Sequence, residues 1–262
     1  MTSSHPSGAL DPHELDRLWD FSDPAGSAAR FAAAAAEPER SAPARAELLT
    51  QQARALGLQD KFEEAAALLD GVQLSSALIT ARVELERGRL ANSAGDPGAA
   101  VPAFAAAEQA AAAAGDEYLQ VDALHMLAIA DPDRAAQWTG RALSVLAAGS
   151  DARARRWAGA LRNNLGWSLF DAGDVAGALR QFEAALEAYT RDGTAEQVRV
   201  ARWTVARALR ELGRADEALV IQRDLLTGPE DGYVHQELAA LLAESDPAAA
   251  ATHTAEAARL LR

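Results

Sequence analysis

Small side chains recur in register along this chain. Alanine stands at positions 65, 100, 135, 178, 218 and 251, at intervals of 35, 35, 43, 40 and 33 residues. Twelve residues before each stands another small residue: Ala53, Gly88, Ala123, Gly166, Ala206 and Ala239. Paired helices whose backbones cross closely need glycine or alanine at the crossing, because any larger side chain holds the axes apart. Larger residues flank most of these points: Leu56, Met126, Leu169, Leu209 and Leu242 stand three positions after the first small residue, with Ala91 as the exception. Seven positions after the second small residue stand Val72, Ala107, Ala142, Ala185, Leu225 and Ala258. A unit of this length repeated along 262 residues predicts a solenoid of helical hairpins rather than one or two globular domains.

The punctuation agrees with that division. Asp96-Pro97, Asp131-Pro132 and Asp246-Pro247 each place a capping carboxylate before a proline suited to a first helical position. Gly95, Gly173 and Gly213 stand where the first helix of a hairpin must stop. Pro102 resists, because it falls inside a second helix and predicts a late start or a bend there. The long intervals predict extra helical turns around residues 143–163 and 186–202, projecting beyond the ordinary ring of hairpins.

The segment Asn163 to Tyr189, NNLGWSLFDAGDVAGALRQFEAALEAY, resembles a tetratricopeptide repeat, with Gly166, Leu169, Ala178, Phe182 and Ala185 at its small and large positions. The resemblance extends over roughly residues 42 to 261 and implies an all-α fold: a right-handed α-solenoid of about six hairpins. It assigns residues 42–262 to one continuous solenoid domain and residues 11–41, with Leu15, Leu18, Trp19, Phe21 and Phe31, to an N-terminal helical cap. Residues 1–10 are expected to be disordered. The chain is also similar to stand-alone bacterial tetratricopeptide-repeat proteins in its segments Leu18–Pro24, His125–Ala130, Asn163–Trp167 and Gly232–Leu238. That likeness implies no reaction.

Composition narrows the function. A formal charge of −13 opposes sequence-independent binding to nucleic acid or to an anionic membrane. Cysteine is absent, which removes disulfides and thiolate chemistry. The first residues lack a basic region followed by an apolar core, and no run of about 18 uncharged apolar residues occurs, so a cytoplasmic protein is expected. The five histidines show no metal-ligand spacing, and no phosphate-binding or nucleophile motif is present. Asp122 and His125, one helical turn apart, form the best catalytic-looking pair, although a histidine satisfied between repeats is the commoner explanation. The reading is therefore a non-enzyme with no cofactor and no metal.

The site expectation comes from charge and aromatic placement. Residues 153–214 hold eleven arginines against seven carboxylates, a basic middle in an acidic chain. In the solenoids that this chain resembles, the first helix of each hairpin lines an inner groove. That places Arg156, Asn163, Asn164, Trp167, Trp203, Arg207, Arg210 and Tyr233 on the groove, with Glu237 bracing it one turn from Tyr233. Tryptophan and arginine together make strong binding anchors, which points to an acidic protein or peptide segment as partner. The alternative is a small anionic ligand enclosed by Arg156, Trp167, Trp203 and Arg207 at the fourth and fifth repeats, in a sensor or an enzyme accessory. The carboxylate clamp by which some such proteins grip chaperones is matched only at Asn164, with Gln120, Leu124, Val200 and Thr204 at its other places. Trp138 and Trp157 read as packing residues. Weak self-association through the C-terminal helix is a further expectation, since the chain ends at Leu261-Arg262 without a polar capping helix.

Overall fold

A computed structural model of the chain describes residues 10–262, and among them every regular element is helical. Packing divides the chain into two compact units, one ending at Ala154 and the other beginning at Arg155. The expectation for residues 1–9 lies outside the described residues. Leu10, in contrast to the disorder expected of it, is buried, and its N–H donates to Glu47 Oε1 at 3.1 Å.

The first unit opens with α1 (Pro12–Leu18) and α2 (Pro24–Ala36). Phe31 of α2 is fully buried with Leu10, Leu15 and Leu48, which fastens this pair onto α3 (Ala42–Gly57). Three hairpins follow: α3 with α4 (Phe62–Asp70), α5 (Ala77–Ser93) with α6 (Pro97–Ala114), and α7 (Glu117–Ala130) with α8 (Ala135–Ala148). After α8 comes a single-turn helix, α9 (Ala152–Arg155). The second unit holds three more hairpins: α10 (Trp157–Asp171) with α11 (Val175–Asp192), α12 (Ala195–Glu211) with α13 (Ala215–Leu225), and α14 (Gly232–Leu242) with α15 (Pro247–Leu260).

The small residues meet where the spacing places them. A Cβ added at Gly166 would lie 2.4 Å from the Phe182 ring, and one added at Gly88 would lie 2.4 Å from the ring of Phe104. Where the residue of the second helix is not a phenyl ring, alanine replaces glycine: Ala53 goes with Leu69, Ala123 with Thr139 and Ala206 with Gln222, all buried. The side chains are thus complementary in volume across the first five hairpins. The α10–α11 pair repeats the device one heptad away, where Gly159 faces Tyr189 as Gly166 faces Phe182.

Four local expectations are corrected. In the sixth hairpin Ala250 and Ala257 are buried while Ala251 and Ala258 are exposed, so the register slips by one residue and Leu238, not a small residue, stands twelve before the buried alanine. Helix α6 begins at Pro97 and runs unbroken through Pro102, whose ring is exposed. Asp96 and Asp246 cap their helices, accepting from Ala99 N–H at 3.0 Å and Ala249 N–H at 3.1 Å, but Asp131 starts a 3-10 turn instead. Its Oδ2 accepts from the indole N–H of Trp138 at 3.0 Å and from Arg134 at 2.6 Å, which secures Trp138 as a packing residue. The extra length near residues 143–163 yields the separate turn α9; near 186–202, α11 has the 18 residues of α6, and only α12, at 17 residues, exceeds the 14 of α7. Left-handed φ angles at Gly95, Gly173 and Gly213 end α5, α10 and α12 as expected.

These contacts predict stability changes of opposite sign. Gly166→Ala forces a methyl group into the Phe182 ring and is expected to cost about 1–3 kcal/mol in urea unfolding. Adding Phe182→Leu should recover part of that loss, and a double variant no better than the single one would refute the pairing. Gln222 is fully buried with neither amide atom hydrogen-bonded, where Leu69, Phe104 and Phe182 occupy the corresponding places. Gln222→Leu is therefore expected to stabilise the protein by about 1–2 kcal/mol.

Candidate binding site

In the second unit the first helices of the three hairpins carry a row of rings. Trp167 of α10 and Trp203 of α12 lie with ring centroids 6.2 Å apart, and Trp203 meets Tyr233 of α14 edge-on at 6.1 Å. Trp167 rests edge-on against Phe170 at 5.4 Å and Phe182 at 5.1 Å, so the row is founded on the α10–α11 core. Both tryptophans are partly buried, while Tyr233 is 56% exposed. Two polar atoms here are buried without a partner: the indole Nε1 of Trp203 and Oδ1 of Asn163.

One helical turn beyond Trp203 and Tyr233 lies an ion triad. Glu237, 1% exposed, accepts from Arg207 Nη1 at 2.5 Å and from Arg210 Nε at 2.7 Å. Arg207 also lies over the Phe170 ring at 5.8 Å. The structure thus brings Trp167, Trp203, Tyr233, Arg207 and Arg210 together, and Glu237 braces them. The two arginines are tethered to one carboxylate rather than standing free, and Arg210 also pairs with the exposed Glu211 at 2.9 Å. Arg156 and Asn164 are exposed. At the other clamp places, Gln120 donates to Glu108 at 2.9 Å, Leu124 and Thr204 are buried, and Val200 is exposed.

A second site was not found in the sequence. The first unit holds an open cavity of about 950 Å³. Its inner wall is made by charged residues on the first helices of the hairpins. Arg82 of α5 reaches back to Glu47 of α3 at 2.9 Å, and Arg89 of α5 reaches forward to both oxygens of Asp122 on α7 at 2.7 Å while also holding Glu86. Helix α5 is thereby tied to both neighbours. Burial works against the charge of Arg89, but Asp122 and Glu86 outweigh it and hold the guanidinium above its ordinary value. The signal was available: Glu47 and Arg82, Gln51 and Glu86, and Arg54 and Arg89 are each 35 residues apart, the interval between the first two repeats. Asp122 is engaged by Arg89 through both carboxylate oxygens.

A family model and one solved structure above a TM-score of 0.5 agree with this architecture. A family model described as a tetratricopeptide repeat matches residues 159–191, which span Gly159, Gly166, Phe182 and Tyr189. Among solved structures, BtubC (BKLC) from P. vanneervenii aligns with a TM-score of 0.57 at 18% identity, covering 83% of this chain and 94% of that one. A tetratricopeptide repeat protein from Parabacteroides merdae aligns at 0.46 and 18% identity, covering 95% and 92%. A search of curated proteins found no match. The chain is an all-α protein of helical hairpins. Its residues 159–191 match the tetratricopeptide repeat, a repeat type that generally mediates contacts between proteins.

Among the described residues no helix is long and apolar enough to cross a membrane, and no three His, Asp or Glu side chains are grouped to hold a metal. Burial lowers the pKa of His125, with Arg89 adding to the effect and Asp122 opposing it; burial and then His235 lower that of His253. The unfolded chain therefore takes up protons first as pH falls through about 6.5. Stability is expected to be greatest above that pH and to decline below it, until the folded histidines also protonate. Melting temperatures between about pH 7.5 and 5.5 check this. His253→Gln should flatten the profile, and an unchanged slope would remove that histidine as a cause.

Proposed function

We propose that the second unit is a protein-interaction module that takes an extended peptide segment across α10, α12 and α14. Trp167, Trp203 and Tyr233 are its apolar anchors; Arg156, Asn163, Asn164, Arg207 and Arg210 supply polar contacts. The observation that carries the reading is the ring row itself, which crosses three successive first helices and ends on an exposed tyrosine. Aromatic side chains beside arginine concentrate binding energy in a small area. An open row spanning three helices suits a chain running across them better than a small molecule enclosed at one point.

The partner segment is acidic in this reading, for a narrower reason than charge composition. Glu237 neutralises one of two guanidiniums at the foot of the row, and the pair with Glu211, 37% exposed on its side chain, is weakened by solvent. A carboxylate on the peptide would find the guanidinium charge that remains. Selection from a displayed peptide library tests both parts. Selected peptides should be rich in Asp and Glu, and Trp203→Ala should weaken their binding tenfold or more, roughly 1.4 kcal/mol. Glu237→Gln should tighten acidic peptides while lowering stability by about 1–3 kcal/mol, since it leaves two half-buried cations without their counter-charge. Selected peptides that bind Trp203→Ala as well as wild type would sink the proposal.

A further inference from the structure

The last hairpin brings together two histidines that lie 18 residues apart in the sequence. His235 of α14 and His253 of α15 face each other with their Nδ1 atoms 2.9 Å apart. The ring centroids are 5.1 Å apart and the planes are tilted by 48°, so the facing edges are the two Nδ1 atoms. His235 stands three residues before Leu238 and His253 three after Ala250, one turn from the residues that take the crossing places in this hairpin. The corresponding places in the other five hairpins hold no histidine; in the fifth they are Trp203 and Ile221. Both imidazoles are half-buried, so neither is sealed from solvent.

As a hydrogen bond this contact needs a proton on one Nδ1 and a lone pair on the other. Once that proton moves to Nε2 of the same ring through solvent, both neutral rings present an Nδ1 lone pair, the form in which imidazole binds metals. The surroundings favour a cation. Glu256 stands one turn along α15 from His253, and Arg259 pairs with both Glu256 at 2.7 Å and Glu230 at 3.1 Å, so one cation offsets two carboxylates. All three side chains are exposed. Arg259 and, more weakly, His235 hold the Glu256 carboxyl below the usual carboxylate range, so it stays ionised.

The spacing narrows the choice of ion. Imidazole nitrogens bind a divalent first-row cation at about 2.0–2.1 Å. Two such bonds span about 2.9 Å at a right angle and about 3.3 Å at the tetrahedral angle. The separation of 2.9 Å therefore fits two adjacent corners of a square without moving the nitrogens apart, and the rings need only tilt until their lone pairs converge. Square-planar nitrogen donors suit Cu(II) and Ni(II), and affinity within the series is greatest for Cu(II). Magnesium and calcium, which take oxygen ligands, are disfavoured.

We propose that His235 and His253 form a binding site for a divalent transition cation, Cu(II) most tightly, held through both Nδ1 atoms with water at the remaining positions. With two protein ligands and open positions the site is exchangeable, unlike a closed structural one. An ion bound there ties α14 to α15.

Titration of the full chain with Cu(II), Ni(II), Zn(II) and Mg(II) salts in a non-coordinating buffer tests this. Cu(II) should raise Tm most, Ni(II) and Zn(II) less, and Mg(II) not at all. The electron paramagnetic resonance spectrum of the protein with equimolar Cu(II) should show splitting from two nitrogens. That spectrum is read on the wild-type chain, so it does not depend on a variant folding. His235→Gln and His253→Gln should each weaken Cu(II) binding tenfold or more and reduce the splitting to one nitrogen, while His13→Gln should change neither. No rise in Tm with Cu(II), splitting from a single nitrogen in wild type, or undiminished binding by either variant of the pair would overturn the proposal. Trp203→Ala should bind Cu(II) as wild type does, so failure here and failure of the peptide site remain distinguishable.

Discussion

The structure depends on how closely the two helices of a hairpin approach, and that distance is set by one side chain on each. At Gly166 and Gly88 the absence of a Cβ lets an aromatic ring lie against the backbone of the first helix. Phe182 and Phe104 are fully buried as a result. Every other feature of the hairpin follows from this contact, because it fixes which stripe of the first helix turns away from its partner. The ring row of the second unit and the charged wall of the first are both carried on such stripes.

The two units use the stripe differently. In the second, rings from successive helices touch one another and the charges beneath them are gathered on Glu237. In the first, charges themselves join the helices, with Arg82 and Arg89 of α5 reaching in opposite directions. A buried ion pair adds little net stability once desolvation is counted, but removing one partner is costly, so such pairs hold neighbouring helices to one arrangement. Arg54 stands outside that matching and rests on aromatic faces instead. Cation–ring contact compensates only part of the lost hydration.

The hairpins were legible because their signal is local: a small residue twelve positions before another, an Asp-Pro, a glycine at a helix end. The slip in the sixth hairpin shows the limit. Alanine fills Ala248 to Ala251 without interruption, and composition cannot tell which of four identical side chains faces inward. Burial of Ala250 is decided by packing. The sharing of Glu237 by Arg207 and Arg210 was not legible for a related reason, since Glu237 lies 27 residues beyond Arg210 and joins it through the contact of α12 with α14.

The recurrence of small residues, with the Asp-Pro and glycine punctuation, determined that this chain forms paired helices and, in the first five pairs, which small residues are buried between them, since these depend on contacts within about thirty residues. The tertiary structure decided which charges are matched and which is left over, because Arg89 meets Asp122, and Arg82 meets Glu47, across separate hairpins. Pairing of that kind depends on the spacing and rotation of neighbouring helices. The 35-residue interval puts Glu47 and Arg82 at matching places in successive repeats, but only the stacking of the hairpins brings them together.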